Sequence, residues 1–418
     1  MASNTSLPPV PPLPTPQLDH PLPGVSLLLP LSRRGTGPGL ILLLPDLERP
    51  ILSIENGVPS PLVKWAEESY VVAAIDVSVL RNLVQAEDLL RRVAQLLNQS
   101  SACDLKDRIG LVAYTPQAWS QVAPVISNIP NIKAGVVYAS ISDLEGLPTA
   151  PIPTVHHLAG KGAGPNTLYR EKNILIQYSY PETSAASFGL PFQRDFHYNA
   201  EAISHTRNLT FVKENIGGPW FDLEQIWDEH TYYEFENRSV EHTMSTMVQE
   251  PYVNHVPTLT GGIGREELTA FYRDHFIWKN PANTSLELIS RTMGIDRIVD
   301  EFLFKFRHDT EVDWLIPGIA PTHRDLEIPF VAVVNIRGDR LYHEHITWDQ
   351  GTVLMQLGFM PGYLSTLKDR HDDTGDQHQQ ETCKSPIFGK ETAAKLRDKN
   401  AVVSNALFDN LVSWKETK

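Results

Sequence analysis

Residues 336–358 read IRGDRLYHEHITWDQGTVLMQLG. Arg337-Gly338-Asp339 has the composition of a tight turn, and the residues after it alternate as a strand. On that alternation Leu341, His343, His345 and Thr347 share one face. Asp349 follows at the strand's end, where Val353, Leu354 and Leu357 begin an apolar run. Two histidines and a carboxylate are therefore expected along one line of a sheet. Lining a pocket they would do acid/base chemistry; on a wetted face they would do none.

Working outward, the segments before this stretch read as strands at 286–292, 298–306, 327–336 and 340–348. Helical patterns precede them at 222–235, 240–247 and 266–276. Helices first and a strand meander after predict an α+β unit with an antiparallel sheet. Farther upstream, short Val/Ile/Leu runs at 40–44, 70–75, 109–114, 135–139, 155–158 and 173–180 alternate with helical patterns at 61–68, 87–97 and 117–126. A closing helix is expected at 201–212. Continuously apolar strands separated by helices predict a parallel α/β sheet covered on both faces. The fold class expected is thus α/β followed by α+β. The divisions are a Pro-rich disordered arm at 1–23, an α/β unit at 24–216, an α+β unit at 217–361, a mobile polar insertion at 362–386 and a helical tail at 387–418.

The 418 residues carry a formal charge of −14, which excludes the basic face of a nucleic-acid binder and disfavours docking to anionic lipid. Cys103 and Cys383 stand far apart without metal-ligand spacing, as expected in a reducing, cytoplasmic compartment. The N-terminus lacks a basic region and an unbroken apolar core, so neither a signal peptide nor a membrane span is expected. Arg337-Gly338-Asp339 is then a turn, not an adhesion motif. The glycosylation-type sites at Asn208 and Asn283 have no route to modification.

Chemistry-bearing residues recur in the second unit. One face of 298–308 carries Ile298, Asp300, Phe302, Phe304, Phe306 and His308. A carboxylate among aromatics suits a cavity wall or its rim, because an unpaired buried carboxylate is costly. Leu223, Ile226, Trp227, His230 and Tyr233 follow helical spacing, which puts His230 on an apolar stripe. Pro251 and Pro257 flank a rigid segment presenting Tyr252 and His255. Arg291 is placed to bind a carboxylate or to pair with Glu287. His343-Glu344-His345 has the spacing of two ligands for a divalent ion, although no metal or other cofactor is expected. Gly261-Gly262-Ile263-Gly264 lacks the Lys-Ser/Thr ending of a phosphate loop and reads as a helix start.

In the first unit PGLILLLPDLERPILSIENGVPSPLVKWAEESYVVAAID, DRIGLVAYTPQAW and NILIQYSYPETSAASF resemble the dienelactone hydrolase (carboxymethylenebutenolidase-like) family of α/β-hydrolases over roughly 38–215. That resemblance implies a nucleophile after the strand at 109–114. Thr115 stands there without flanking glycine, and Pro116 removes a backbone N–H where an oxyanion hole would want one. Where the family places its histidine, this sequence has Ala186-Ser187-Phe188. No aspartate follows His156-His157-Leu158-Ala159-Gly160. The expectation is a pseudo-hydrolase, with His156 and His157 as core or edge residues.

In the second unit Ile289-Ser290-Arg291-Thr292, the run from Pro317 to Arg324 and His343-Glu344-His345-Ile346-Thr347-Trp348-Asp349 resemble the SnoaL-like branch of the NTF2-like cone family over about 218–360. The family's commoner Pro-Thr-Gly-Arg is here Pro321-Thr322-His323-Arg324. The resemblance implies a cofactor-independent cyclase, isomerase or dehydratase of polyketide or terpenoid metabolism, acting on a hydrophobic carbonyl compound. Asp349 is its expected acid/base residue, helped by His345, His343 and His255. His230, Tyr252, Arg291, Asp300, Phe304 and His308 are expected to bind substrate. A homodimer is expected by analogy. An ester or lactone hydrolase and a non-catalytic binding or assembly protein are the alternatives.

Overall fold

The computed structural model describes residues 8–162, 167–171, 174–366 and 381–408. Its first sheet uses β1 (Leu18–Leu22), β2 (Val25–Leu28) and β3 (Gly39–Leu44). A short ladder of β4 (Ile54–Glu55) and β5 (Val58–Pro59) stands apart. The sheet continues with β6 (Val71–Asp76), β7 (Ile109–Ala113), β8 (Ile132–Ser140), β9 (Thr154–Ala159), β10 (Thr167–Glu171) and β11 (Leu175–Tyr180). The strand order is β1-β2-β6-β3-β7-β8-β9-β11-β10. From β6 to β11 neighbours run parallel, and antiparallel strands close both edges. Helices α1 (Pro61–Glu67), α2 (Leu83–Gln99), α3 (Pro116–Val122) and α4 (Tyr198–Ile216) cover it. Two apolar clusters, one on each face, explain why its central strands read as unbroken hydrophobic runs.

Residues placed in a disordered arm contradict that expectation. Pro8 O accepts from His242 Nε2 at 2.9 Å and Pro14 O from Gln249 Nε2 at 2.8 Å, after which the chain enters β1. Proline-rich backbone cannot donate, but its carbonyls accept well, and side chains of the second half supply the donors.

The second half begins with α5 (Leu223–Thr231), α6 (Val240–Ser245), β12 (Met247–His255) and β13 (Thr260–Ile263). It continues through α7 (Arg265–Phe271), β14 (Ser285–Met293), β15 (Arg297–Arg307), β16 (Asp325–Arg337), β17 (Arg340–Trp348) and α8 (Gln350–Leu357). The six strands lie in the order β13-β12-β17-β16-β15-β14. The expected antiparallel meander is present from β14 to β17, but β12 pairs with β17 in parallel, so this sheet too is mixed. The segment read as rigid and Pro-flanked is therefore a strand as far as His255. Pro251 is tolerated because the β12–β17 register breaks between Met247 and Tyr252.

Arg337-Gly338-Asp339 is indeed a turn, between β16 and β17, and it is buried against α1. Arg337 Nη1 donates to Glu67 Oε2 at 2.9 Å, Gly338 N to Glu68 Oε2 at 3.2 Å, and Arg33 N to Asp339 Oδ2 at 2.8 Å. Gly338 has φ +57°, and a Cβ there would sit 2.3 Å from Glu67 O, so this docking needs glycine. The ends of the expected polar insertion pair as β18 (Tyr363–Thr366) and β19 (Glu381–Lys384). Its His371 and His378 lie outside the described residues. In the tail α9 (Glu391–Arg397) anchors through Arg397 to Glu287, with Nε 2.7 Å from Oε1. No helix among the described residues is long and apolar enough to cross a membrane.

Candidate functional site

The concave face of the six-stranded sheet and α5 enclose a cavity of about 750 Å³. That lies within the range of about 300–1,000 Å³ usual for small-molecule sites. Trp227, Phe235, Phe276, Phe304, Trp314 and Phe330 give it aromatic walls. The β15 alternation is unbroken, so Asp300, Phe302 and Phe304 all line the cavity, as their spacing predicts. Phe306 packs in the adjoining core.

The β17 alternation is broken. Leu341 pairs with Ile336 while His343 pairs with Asn335, leaving Tyr342 as an extra residue. A bulge of one residue moves everything beyond it to the opposite face. Leu341 therefore joins the core with Ile346 and Trp348, and Glu344 and Ile346 face the cavity. His343 and His345 point away from it. They stack at 4.7 Å between ring centroids, and Tyr252 lies against both. Burial first, then the charges of His345 and Arg297, press His343 down to about 2. A histidine that cannot take up a proton is no acid/base helper.

Asp349 is also corrected. It is exposed and caps α8, accepting from Gly351 N at 3.0 Å and Thr352 N at 3.2 Å. It completes a helix start and does not line the cavity. His308 lies outside as well, its Nδ1 3.1 Å from Thr322 Oγ1, where it fastens the loop before Arg324.

His230, Asp300, Arg291, Phe304 and His255 do gather at or beside the cavity. Arg291 faces Asp300 across the β14–β15 pair and donates to both of its carboxylate oxygens at 2.8 Å. It also reaches Glu224 at 3.0 Å and Asp228 at 2.9 Å. Trp227 Nε1 adds a bond to Asp300 at 2.9 Å. Four of the five Arg291 N–H groups are thus engaged by carboxylates, and its expected partner Glu287 pairs instead with Lys305 at 2.9 Å. His255 is held by Thr260 Oγ1 at 3.2 Å and by rings on Trp314 and Phe276, and burial pulls it down to about 3.

The residues that sequence reasoning missed are Glu234, Glu344 and Tyr272. His230 is 0% exposed, and Glu234 and Glu344 are each 3% exposed. His230 Nε2 lies 3.2 Å from Glu234 Oε1 and 3.2 Å from Glu344 Oε1. The second contact falls off the N–H direction. Among the described residues Glu344 Oε1 thus has no directed hydrogen-bond partner. On the other side of the ring, Nδ1 is 2.6 Å from Thr246 Oγ1, which itself donates to Thr243 O at 2.7 Å. The threonine's one proton is committed, so it accepts from Nδ1–H, and Nε2 faces the carboxylates. Burial alone would lower His230, but Glu234 and Glu344 outweigh it and raise it to about 10. Burial also raises Glu234, with His230 opposing. The three ligand-type atoms lie within 4.8 Å of one another, a spacing that a divalent ion would also accept.

Local backbone sets this cluster. α5 runs on into a π-helical turn at Tyr232–Glu236, which carries Glu234. α7 does the same at Tyr272–Phe276, which brings the Tyr272 hydroxyl within 3.5 Å of His230 Nε2. Such wide turns are costly and recur where a side chain must be re-aimed. The His230-x-x-x-Glu234 spacing was the available sequence signal; Glu344 was hidden by the bulge.

At the carboxyl end of β7, Thr115 has φ −142° and caps α3 through Ala118 N at 3.2 Å. That is an ordinary helix start, not a strained nucleophile turn. Both His157 nitrogens are satisfied, by Tyr180 Oη at 2.7 Å and Asn208 Oδ1 at 2.6 Å.

No family model matches the chain. No curated protein matches it either. Solved structures similar to part of it include the epoxide hydrolase/cyclase-like enzyme SalBIII, with 10% identity over 30% of this chain and 89% of that one, TM-score 0.24. A protein described as a SnoaL-like polyketide cyclase from Shewanella putrefaciens is 13% identical over 34% and 88%, TM-score 0.28. An NTF2-like protein of unknown function from Burkholderia pseudomallei is 18% identical over 32% and 95%, TM-score 0.26. None of the three structures named here is described as a dienelactone hydrolase.

Proposed function

We propose that this chain is a SnoaL-like acid/base enzyme of the cyclase, isomerase or dehydratase type, acting on a hydrophobic carbonyl compound in the cavity of its second half. One observation carries the reading: two buried carboxylates share one histidine at the wall of an aromatic cavity. The chemistry follows from the partners of each group. Glu344 lines the cavity, with its Oε1 3.2 Å from His230 Nε2, and its carboxylate takes the proton α to a carbonyl. Glu234, raised by burial, is the carboxyl disposed to hold and return a proton. His230 stays cationic between them and keeps two carboxylates from repelling each other in a dry site. Tyr272, which burial and both carboxylates keep protonated, helps to fix the set. The walls exclude water and hold an apolar skeleton in place. The first half acts as a scaffold, with its Thr115 engaged as a helix cap.

The test uses β,γ-unsaturated ketones and β-hydroxy ketones as probes, with conjugation to the enone followed by ultraviolet absorbance. Wild-type protein should turn over members of such a panel. Glu344→Gln should lower the rate by about 10²–10⁴-fold while the far-ultraviolet dichroism is unchanged. An unaltered rate in a folded variant would refute the assignment.

A further inference from the structure

The charge of the cavity is one-sided. Glu224, Asp228, Glu234, Glu236, Asp300 and Glu344 line it, and Arg291 is the one Lys or Arg among the described lining residues. Arg291 is spent on Asp300, Glu224 and Asp228, as its four short bonds show. Lining His255 is buried, and burial keeps it neutral. The remaining positive group, His230, sits behind the wall between Glu234 and Glu344, so its charge is taken up by its own partners. In a water-poor site such a one-sided lining is expensive unless a proton or a ligand corrects it. Independently of this cluster, eight Phe, Tyr and Trp side chains wall the space, and ring faces attract cations. Glu344 is 3% exposed and lines the cavity, with its Oε1 3.2 Å from His230 Nε2 but outside the N–H direction. A carboxylate-bearing ligand would meet this lining as repulsion, with no free guanidinium or ammonium to receive it.

We propose that the cavity takes a hydrophobic ligand bearing a protonated amine, its nitrogen donating to Glu344 and its skeleton packed among the aromatic walls. This rests on the reading of the cavity as a small-molecule site; because its ammonium occupies the base, such a compound binds in place of the carbonyl substrate. The acidic rim of Glu224, Asp228 and Glu236 draws such a molecule in.

The experiment compares three probes of one shape, 1-adamantanemethylamine, 1-adamantanemethanol and 1-adamantanecarboxylate, titrated calorimetrically into the full chain at neutral pH. The amine should bind about tenfold or more tightly than the alcohol, and the carboxylate should be weakest. In folded Glu344→Gln the amine's advantage should shrink toward unity. Equal binding of amine and alcohol overturns the charge preference and leaves the small-molecule reading standing. Binding of none of the three overturns both. Preference for the carboxylate overturns the proposal outright, as does stoichiometric Zn²⁺ or Mn²⁺ uptake that blocks the amine. The wild-type probe series decides the question even where the variant fails to fold.

Discussion

His157 and His230 are both fully buried, one in each half, and they titrate in opposite directions. Burial takes His157 down to about 3, because its partners Tyr180 and Asn208 are neutral. The same burial acts on His230, yet Glu234 and Glu344 raise it to about 10. Depth therefore does not set the charge of a buried histidine; the charge of its partners does. The surroundings agree. His157 packs on the ring of Tyr138, which stacks on Tyr114, whereas His230 lies behind Glu234 and Glu344, which line the cavity.

The largest effect that would break this contrast is catalytic. Glu344→Gln should cost about 10²–10⁴-fold in turnover, whereas His157→Gln should leave turnover of the ketone panel within about twofold. A second test addresses the contact between the halves, where Arg337 and Glu67 form a pair with both side chains nearly inaccessible. Arg337→Met leaves Glu67 buried without its partner and should cost about 3–5 kcal/mol in urea unfolding. Adding Glu67→Gln should recover a large part of that loss. Failure of the double variant to recover would mean that the packing of Arg337 on Tyr342, 3.4 Å from the ring centre, matters more than its charge.

The third test is the pH profile of stability. His230 is raised on folding, so its contribution is complete below the unfolded value near 6.5 and is lost as pH climbs toward 10. His157 is lowered, so its contribution is complete above about 6.5 and is lost as pH falls toward 3. His230→Gln should flatten the alkaline limb and His157→Gln the acid limb; melting curves across pH check both. The smallest effect is at Asp349. Asp349→Ala removes a helix cap worth about 1 kcal/mol and should leave turnover within about twofold, which measures directly whether it is a cap or a catalyst.

Much of this architecture was legible in residue patterning. The parallel strands announced themselves as unbroken Val/Ile/Leu runs, since helices cover both faces. The β15 face from Ile298 to Phe306 was read correctly, because nothing interrupts its alternation. The α5 stripe through Leu223, Ile226, Trp227 and His230 is buried as its spacing requires. Other features were not legible. β12 was hidden by Pro251 within it and Pro257 just beyond it, and the arm at 8–17 draws its order from donors more than two hundred residues away.

The stretch 336–358 shows where the division falls. By itself the sequence determined that a turn leads into a strand and then an apolar run, because local composition and alternation suffice for that; that Asp349 caps a helix there was shown only by the structure. Which face of the strand meets the cavity was decided only by the tertiary structure. One extra residue at Tyr342, imposed by pairing with β16 and β12 at once, reversed the parity, turned His343 and His345 outward and brought Glu344 in. Register is a property of the neighbours of a strand, and a single sequence does not name them.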